Sequence, residues 1–237
     1  MSLSGVNALL FDVFGTVVDW RGSITAEMQR FGEEHKIEQN WQQFALDWRA
    51  LYQPAMETIR SGHRGYVKLD QLHRENLQQL LAKYGLETLD ETTLTHINQV
   101  WHRLQPWADV LSGMNRLKKH YILASLSNGN VAMMVNMARH SAIPWDMILG
   151  SETAQGYKPQ PKVYLHSARM LDLEPEHCLM VAAHNSDLQA ARLLGFKTAY
   201  INRPYEYGDR QTTDLEAEAD WDIVGESMTD IASALDC

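Results

Sequence analysis

The chain of 237 residues has few cysteines, no excess of basic residues and no long apolar run. Its two cysteines, Cys178 and Cys237, are too few for a disulfide framework, and the apolar neighbours of Cys178 predict a buried thiol. A formal net charge of −9 argues against a nucleic-acid partner, because no cationic surplus is available to neutralise phosphates. No stretch reaches the roughly 20 apolar residues that span a bilayer. We therefore expect neither a nucleic-acid nor a membrane partner.

The first residues also lack the features of a secretory signal. No basic flank precedes the first apolar run, and Asp12 interrupts that run, so we expect a cytoplasmic protein. Apolar residues make up 45% of the chain and charged residues 22%, which is typical of a globular protein. The length suits one α/β domain with an insertion.

Short apolar runs alternate with helical patterns along most of the chain. The first run, residues 6–12, is nearly all apolar and ends in the carboxylate of Asp12. The other predicted strands are residues 122–126, 147–149, 179–182, 198–201 and, as a short last strand, 221–224. Predicted helices cover residues 110–119, 130–140, 162–171 and 187–194, with a final helix from about Met228. This order predicts an α/β fold with a doubly wound parallel sheet.

The stretch from about residue 22 to residue 104 breaks this alternation. Apolar residues recur there at helical spacing, as at Ile24, Met28 and Phe31, and no run is typical of a strand. We therefore predict two domains. An α/β core comprises residues 1–20 and 105–237, and an all-helical cap domain comprises residues 21–104.

Four polar clusters fall at or after the ends of predicted strands. Asp12 ends the first strand, Ser127 and Asn128 end the second, Lys158 precedes a helix, and Asp187 follows a later strand. Ligands of an open parallel sheet bind beyond the carboxyl ends of its strands, so we expect these side chains to converge. Helix capping alone would explain one such residue, but the ordered set favours a functional site.

The residue types in this set suit covalent catalysis by a carboxylate. An ionised Asp12 can act as a nucleophile and form an ester, and Lys158 is a candidate cation to keep it ionised. Ser127, Asn128 and the backbone N–H groups that follow them are candidate donors to an anion at a helix N-terminus. Asp187 is a candidate to orient Lys158 and to polarise the water that hydrolyses the ester.

Four segments together resemble the ordered motifs of the haloacid dehalogenase superfamily. They are residues 11–16 (FDVFGT), 126–129 (LSNG), 158–159 (KP) and 183–187 (AHNSD). The resemblance covers nearly the whole chain, including the helical insertion after the first motif. It implies a nucleophilic Asp12 in an α/β core and a helical cap above it.

Most members of that superfamily are magnesium-dependent phosphatases, and this chain departs from their pattern at two places. Phe14 stands where they carry a second aspartate, and Ala182 and Ala183 stand where the fourth motif begins with an acidic residue. Asp12 and Asp187 alone are poor ligands for an octahedral cation. The chain therefore resembles the type II branch, the L-2-haloacid dehalogenases, and we expect neither a metal nor another cofactor.

Two further residues match that branch. Arg49, in the predicted cap, stands where the branch has an arginine that receives the departing halide, and a weakly hydrated guanidinium suits this role. Taken alone, Arg49 would be interpreted as a solvated helix residue. Tyr164, six residues after Lys158, also matches the branch and is expected to border the pocket or to hydrogen-bond near the nucleophile.

The resemblance implies hydrolysis of a small 2-haloacid to a 2-hydroxy acid through an ester on Asp12. In that mechanism the halide leaves toward Arg49 with help from Asn128, the substrate carboxylate rests on Ser127, and Phe14 borders the substrate. Two alternatives stay open: opening of a strained C–N bond in a small cyclic imino acid by the same chemistry, and a phosphatase of unusual design. A homodimer is also an open alternative, since type II relatives are commonly dimers.

His184 distinguishes this chain from many type II enzymes. Residues 182–187 (AAHNSD), together with residues 14–21 and 203–208, resemble a subgroup of which some members act on fluorinated acids. His184 is therefore a candidate to contact the hydrolytic water or the cation cluster, and a neutral histidine bonded to backbone is an equally good interpretation. Activity on fluoroacetate is a hypothesis that rests on this resemblance.

Overall fold

The computed structural model describes residues 3–237 and has the predicted α/β architecture. Its strands are β1 (Ala8–Phe11), β2 (Val18–Asp19), β3 (Gln105–Pro106), β4 (Ile122–Ser127), β5 (Met147–Gly150), β6 (Cys178–Ala182), β7 (Lys197–Ile201) and β8 (Ile223–Gly225). Six of these form one sheet in the order β5-β4-β1-β6-β7-β8, and every neighbouring pair is parallel. The predicted fold class is confirmed.

Helices cover both faces of this sheet. They are α6 (Val110–Leu117), α7 (Val131–Ser141), α8 (Ser151–Ala154), α9 (Pro161–Arg169), α10 (Asn185–Arg192) and α11 (Met228–Ala234). Successive residues of β1 point to opposite faces, so Leu9 and Phe11 join one buried cluster and Ala8 and Leu10 join the other. This two-sided burial explains why the strand is apolar at every position.

Helices alone fill the chain between β2 and the short helical turn Gln99–His102, within the residues that the structure describes. They are α1 (Trp20–His35), α2 (Trp41–Ala50), α3 (Tyr52–Arg60), α4 (Leu69–Tyr84) and α5 (Glu91–Asn98). The chain leaves and re-enters the core side by side, because β2 pairs antiparallel with β3. This arrangement supports the predicted cap of residues 21–104, although its boundaries stay a prediction.

The boundaries of the predicted elements agree with the structure to within about two residues. The first strand spans Ala8–Phe11 where residues 6–12 were predicted, and the last strand begins at Ile223 rather than at residue 221. Cys178 is fully buried, as expected, and burial raises the pKa of its thiol to about 12. In residues 3–237 no helix combines the length and apolarity that a bilayer crossing needs. The cytoplasmic location and the homodimer stay predictions.

Candidate active site

Asp12 lies at the carboxyl edge of the sheet, directly after the central strand β1. Parallel pairing places Phe11 opposite Ser125 of β4 and Val181 of β6. The backbone N–H of Asp12 continues this ladder by donating to the carbonyl of Val181 at 3.0 Å. The Asp12 side chain therefore lies at the edge of the sheet where β4 and β6 also end.

Three side chains surround the carboxylate of Asp12. Its Oδ1 accepts a hydrogen bond from Nζ of Lys158 at 2.8 Å, and its Oδ2 accepts one from the hydroxyl of Thr16 at 2.7 Å. Nδ1 of His184 lies 3.2 Å from the same Oδ2. Burial raises the pKa of Asp12, but Lys158 and His184 outweigh burial and hold that pKa well below its ordinary value. The carboxylate is therefore ionised.

Lys158 connects the two predicted catalytic carboxylates. Its ammonium group contacts both Asp12 and Asp187 and is buried with them. Burial lowers the pKa of Lys158, but the two carboxylates raise it above its ordinary value, so the lysine is charged. Its backbone is held from two sides, since its N–H donates to Oδ1 of Asn128 at 2.9 Å and its carbonyl accepts from Nη1 of Arg60 at 2.9 Å.

Asp187 lies in the first turn of α10 and has one partner on each oxygen. Oδ2 accepts from Lys158, and Oδ1 accepts from the hydroxyl of Tyr164. Burial, followed by the nearby charge of Asp187, raises the pKa of Tyr164, so its hydroxyl stays protonated and donates. The structure thus places Tyr164 beside Asp187, where it restrains the predicted water-activating group.

His184 lies between two carboxylates. Besides its contact with Asp12, its Nε2 is 2.9 Å from Oε2 of Glu206, whose other oxygen accepts from Nε1 of Trp20 at 2.8 Å. Burial lowers the pKa of His184, but Glu206 and Asp12 raise it well above its ordinary value. Of the two interpretations given to His184, contact with the catalytic cluster is therefore the one that agrees with this geometry.

Arg49 is buried among aromatic rings, so the interpretation as a solvated helix arginine is wrong. Its Cζ lies 4.1 Å from the ring centroid of Tyr52, 5.3 Å from that of Trp20 and 5.7 Å from that of Phe14. Burial lowers the pKa of Arg49. Tyr207, Tyr52 and the carboxylate of Glu206 raise it above its ordinary value. Its Nη1 is buried without a hydrogen-bond partner, which leaves a charged donor available to an anion.

Ser127 ends β4 and Asn128 follows it, and the two residues differ in their surroundings. Ser127 is fully buried, and its hydroxyl accepts from the N–H of Gly129 at 3.0 Å. The N–H of Val131 donates to a carboxylate oxygen of Glu152 at 2.6 Å. These groups already have protein partners, so their contact with a substrate carboxylate stays a prediction. Oδ1 of Asn128 accepts from Ser151 and Lys158, so Asn128 can meet a ligand through Nδ2.

An open cavity of about 700 Å³ brings most of the predicted residues together. The predicted residues on its wall are Asp12, Phe14, Arg49, Asn128, Lys158, Tyr164, His184 and Asp187, whereas Ser127 lies outside the lining. Arg49 comes from the helical insertion and the others come from the sheet domain. The cavity therefore places an ionised carboxylate and a guanidinium with one unpartnered nitrogen in one space.

A family model for haloacid dehalogenase-like hydrolases matches residues 6–195. This chain belongs to that family. A solved L-2-haloacid dehalogenase is 48% identical, with a TM-score of 0.95 over 98% of this chain and 99% of that one. A defluorinating L-2-haloacid dehalogenase is 44% identical, with a TM-score of 0.96 over 98% of this chain and 96% of that one. These likenesses confirm the predicted resemblance to the type II branch.

A curated relative agrees with the solved structures. The (S)-2-haloacid dehalogenase H-109 of Pseudomonas putida is 28% identical over 91% of this chain and 97% of its own length. The likeness therefore extends over both the sheet domain and the helical insertion.

The residues around Asp12 do not fit the magnesium ion that many haloacid dehalogenase-like hydrolases use. Both carboxylate oxygens of Asp12 already accept hydrogen bonds, and the ammonium of Lys158 occupies the space between Asp12 and Asp187. Phe14 adds an apolar ring where a further oxygen ligand would be needed. An octahedral cation requires several oxygen ligands, whereas the groups nearest Asp12 include two cationic nitrogens.

Two residues that make polar contacts in this hydrolase site were not predicted. Thr16 donates to Asp12 and accepts from the N–H of Ala183 at 2.9 Å, so it joins the first and fourth motifs. Glu206 pairs with His184, although its segment, residues 203–208, is distant in the chain. A signal for Thr16 was available in the FDVFGT motif. No comparable spacing rule indicated that Glu206 would reach the site.

Proposed function

We propose that this chain hydrolyses small 2-haloacids to 2-hydroxy acids through an ester on Asp12, without a metal ion. The observation that carries the proposal is the pairing of two groups in one cavity. Asp12 is ionised and buried there, and Arg49 presents a charged N–H group without a partner. A nucleophile and a halide acceptor of this kind are what displacement of a halide requires. The names of the similar proteins support the same reaction.

In the first step, one oxygen of Asp12 attacks the carbon that carries the halogen. The new C–O bond forms as the carbon–halogen bond breaks, and the halide takes the electron pair toward Arg49. Tyr52, Trp20 and Phe14 surround the guanidinium and exclude water from it, which strengthens its attraction for an anion. Nδ2 of Asn128 is a second donor on the same wall.

In the second step, water attacks Cγ of the ester and releases the 2-hydroxy acid. Asp187 accepts a proton from that water, since Lys158 and Tyr164 hold its carboxylate in place beside Asp12. The bond that breaks joins Cγ to the substrate oxygen, so the substrate carbon inverts once, in the first step. An oxygen atom from solvent remains in Asp12 after each turnover.

Fluorinated acids are a narrower class of substrate within the proposed reaction. Fluoride is a strong hydrogen-bond acceptor, and the unpartnered Nη1 of Arg49 offers it a charged donor in an aromatic enclosure. The likeness to a defluorinating L-2-haloacid dehalogenase supports the same substrate class. We therefore propose that fluoroacetate is turned over in addition to chloroacetate.

One substrate screen tests the function directly. The enzyme is incubated with fluoro-, chloro- and bromoacetate and with both 2-chloropropionate enantiomers, with and without a chelator, and free halide is measured. We expect release from chloroacetate and from the (S) enantiomer, unchanged by the chelator. Small cyclic imino acids, and p-nitrophenyl phosphate with magnesium, are included as competitors. Turnover of these compounds without halide release, or a strict magnesium requirement, contradicts the proposal.

A further inference from the structure

The hydrogen bonds of His184 determine its protonation. The ring contacts Asp12 through Nδ1 and Glu206 through Nε2, and Glu206 is buried with its other oxygen bonded to Trp20. An ionised carboxylate can only accept hydrogen bonds, so a histidine between two such groups carries a proton on each ring nitrogen. The raised pKa of His184 agrees with this imidazolium form.

The two oxygens of Asp12 have different neighbours. Oδ1 accepts from Lys158, whereas Oδ2 accepts from Thr16 and lies against Nδ1 of His184. If Oδ1 bonds to the substrate carbon, Oδ2 becomes the carbonyl oxygen of the ester. Thr16 and His184 are then two donors that face the atom on which negative charge develops when water attacks Cγ.

We propose that His184 is an oxyanion donor in ester hydrolysis and that Glu206 is the positioning residue that holds it against Asp12. This inference rests on the proposed ester and deepens it. It assigns different roles to the residues that contact the two oxygens of Asp12. Lys158 donates to Oδ1, the oxygen that bonds to the substrate carbon. His184 donates to Oδ2, the oxygen that becomes negatively charged in the second step.

Asp187 and Lys158 carry the protons that ester hydrolysis moves. The water oxygen bonds to Cγ, one water proton passes to Asp187, and the π electron pair of the carbonyl moves onto Oδ2. When that pair returns, the bond from Cγ to Oδ1 breaks, and Oδ1 leaves with the product after taking a proton from Lys158. Asp187 returns its proton to Lys158, and the second water proton leaves the Asp12 carboxyl for solvent.

The charge of His184 persists while that of Asp12 changes. Esterification removes the negative charge of Asp12, but Glu206 remains beside Nε2 and keeps the imidazolium paired. A charged donor binds a developing oxyanion more strongly than a neutral one. The glycine at position 15 admits Glu206 to this place, because a Cβ on Gly15 would collide with the Glu206 carboxylate. The contact between Glu206 and His184 therefore depends on a glycine of the first motif, residues 11–16.

The variant Glu206→Gln tests the inference in the full-length enzyme with (S)-2-chloropropionate. Rapid-quench measurements give chloride release in the first turnover, and mass spectrometry of the intact protein gives the amount of ester. We expect the first-turnover rate to stay within about threefold of wild type and kcat to fall about 10- to 100-fold. The ester then accumulates, and a chloride burst of one equivalent precedes slow turnover. Glu226→Gln, the same change at an exposed position, should leave both rates unchanged.

A second variant separates positioning from general destabilisation. His184→Asn keeps a neutral N–H donor near Oδ2 but removes the contact with Glu206. We expect the ester to accumulate in this variant too, and Glu206→Gln to have little further effect in its background, because the two residues act as a unit.

The outcomes distinguish the inference from the function on which it rests. Equal slowing of both steps in Glu206→Gln, unchanged kcat, or additive effects of the two substitutions overturns the role of His184 and Glu206 while the wild-type ester still forms. If wild type forms no ester and takes no solvent oxygen into Asp12, the proposed function itself fails.

Discussion

Arg60 donates a hydrogen bond from Nη1 to the backbone carbonyl of Lys158, and Nε2 of Gln160 donates back to the carbonyl of Arg60 at 3.3 Å. The helical insertion thus holds the short segment that brings the lysine to Asp12. On its other side this segment is bonded to Asn128 of the sheet domain. The position of the lysine therefore depends on contacts from both parts of the chain.

Replacing Arg60 by methionine removes the charged contact but keeps an unbranched side chain. We expect kcat to fall about tenfold, because a less restrained Lys158 holds the nucleophile less well. Steady-state halide release measures the change. Arg30→Met is the matched control, since the Arg30 side chain is 70% exposed and pairs with Glu27 on the same helix. Unchanged kcat in Arg60→Met would show that the contact of Arg60 with the Lys158 backbone has no part in catalysis.

Asp12→Asn removes the nucleophile and retains the shape of the side chain. We expect halide release to fall by at least about 10⁴-fold, as for other residues that form a covalent bond with substrate. Intact-protein mass spectrometry should detect no adduct with a haloacid, and circular dichroism should show a folded protein because Lys158 keeps its contact with Asp187. Residual turnover above about one per cent of wild type would refute the assignment of Asp12.

Arg49→Met separates the stability of the cavity wall from its function. Methionine keeps the apolar contact with the rings around position 49 but removes a buried charge whose Nη1 has no partner. We expect first-turnover halide release to fall about 100-fold or more. The free energy of unfolding should fall by only about 1 to 2 kcal/mol, because methionine keeps the packing but loses the contacts of the charge with the rings. A large drop in unfolding temperature would indicate a structural role instead.

The pKa shifts of Asp12 and His184 have opposite consequences for stability. The pKa of Asp12 lies below its ordinary value of 3.8, so its contribution is present above pH 3.8 and is lost as the pH falls through the lowered pKa. The pKa of His184 lies well above 6.5, so its contribution is complete below pH 6.5 and is lost as the pH rises through the raised pKa.

Urea denaturation across a pH series tests the predicted loss of the His184 contribution as the pH rises. The groups that face His184 are Glu206 and Asp12, with Lys158 on the far oxygen of Asp12. We expect the free energy of unfolding of wild type to exceed that of His184→Asn by most below pH 6.5. The difference should shrink as the pH rises from 6.5 through the raised pKa. A difference that grows with rising pH would mean that the histidine is neutral.

The part of the site that could be predicted from sequence is the part that strand ends determine. Asp12 follows a strand with a clear apolar run, and Asp187 lies in the first turn of the helix after another strand. Parallel strands bring their carboxyl ends to one edge, so the convergence of these two carboxylates followed from the order of the elements. Lys158 was predicted from its chemistry and its motif, and its contacts with both carboxylates agree with that prediction.

Other contacts depend on packing between distant segments, which periodicity does not describe. Helical spacing alone would interpret Arg49 as a solvated residue, and only the resemblance predicted its place in the site. In the structure it packs between rings from separate elements. Glu206 lies in a loop after β7, where neither helix nor strand spacing specifies the direction of a side chain. Ser127 differs in the opposite way. It lies in the predicted motif, residues 126–129, but its hydroxyl accepts from the nearby backbone N–H of Gly129.

Gly15 has a backbone φ of +86° and lies against the carboxylate of Glu206, where any Cβ would collide. A turn near the start of the chain thus reserves space for a side chain from near its end. Anyone grafting the glutamate onto another scaffold has to transfer this small residue with it. An alanine at position 15 should displace Glu206 and so disrupt its contact with His184, although neither of these two residues is substituted. Positions 15 and 206 therefore have to be chosen together in any redesign.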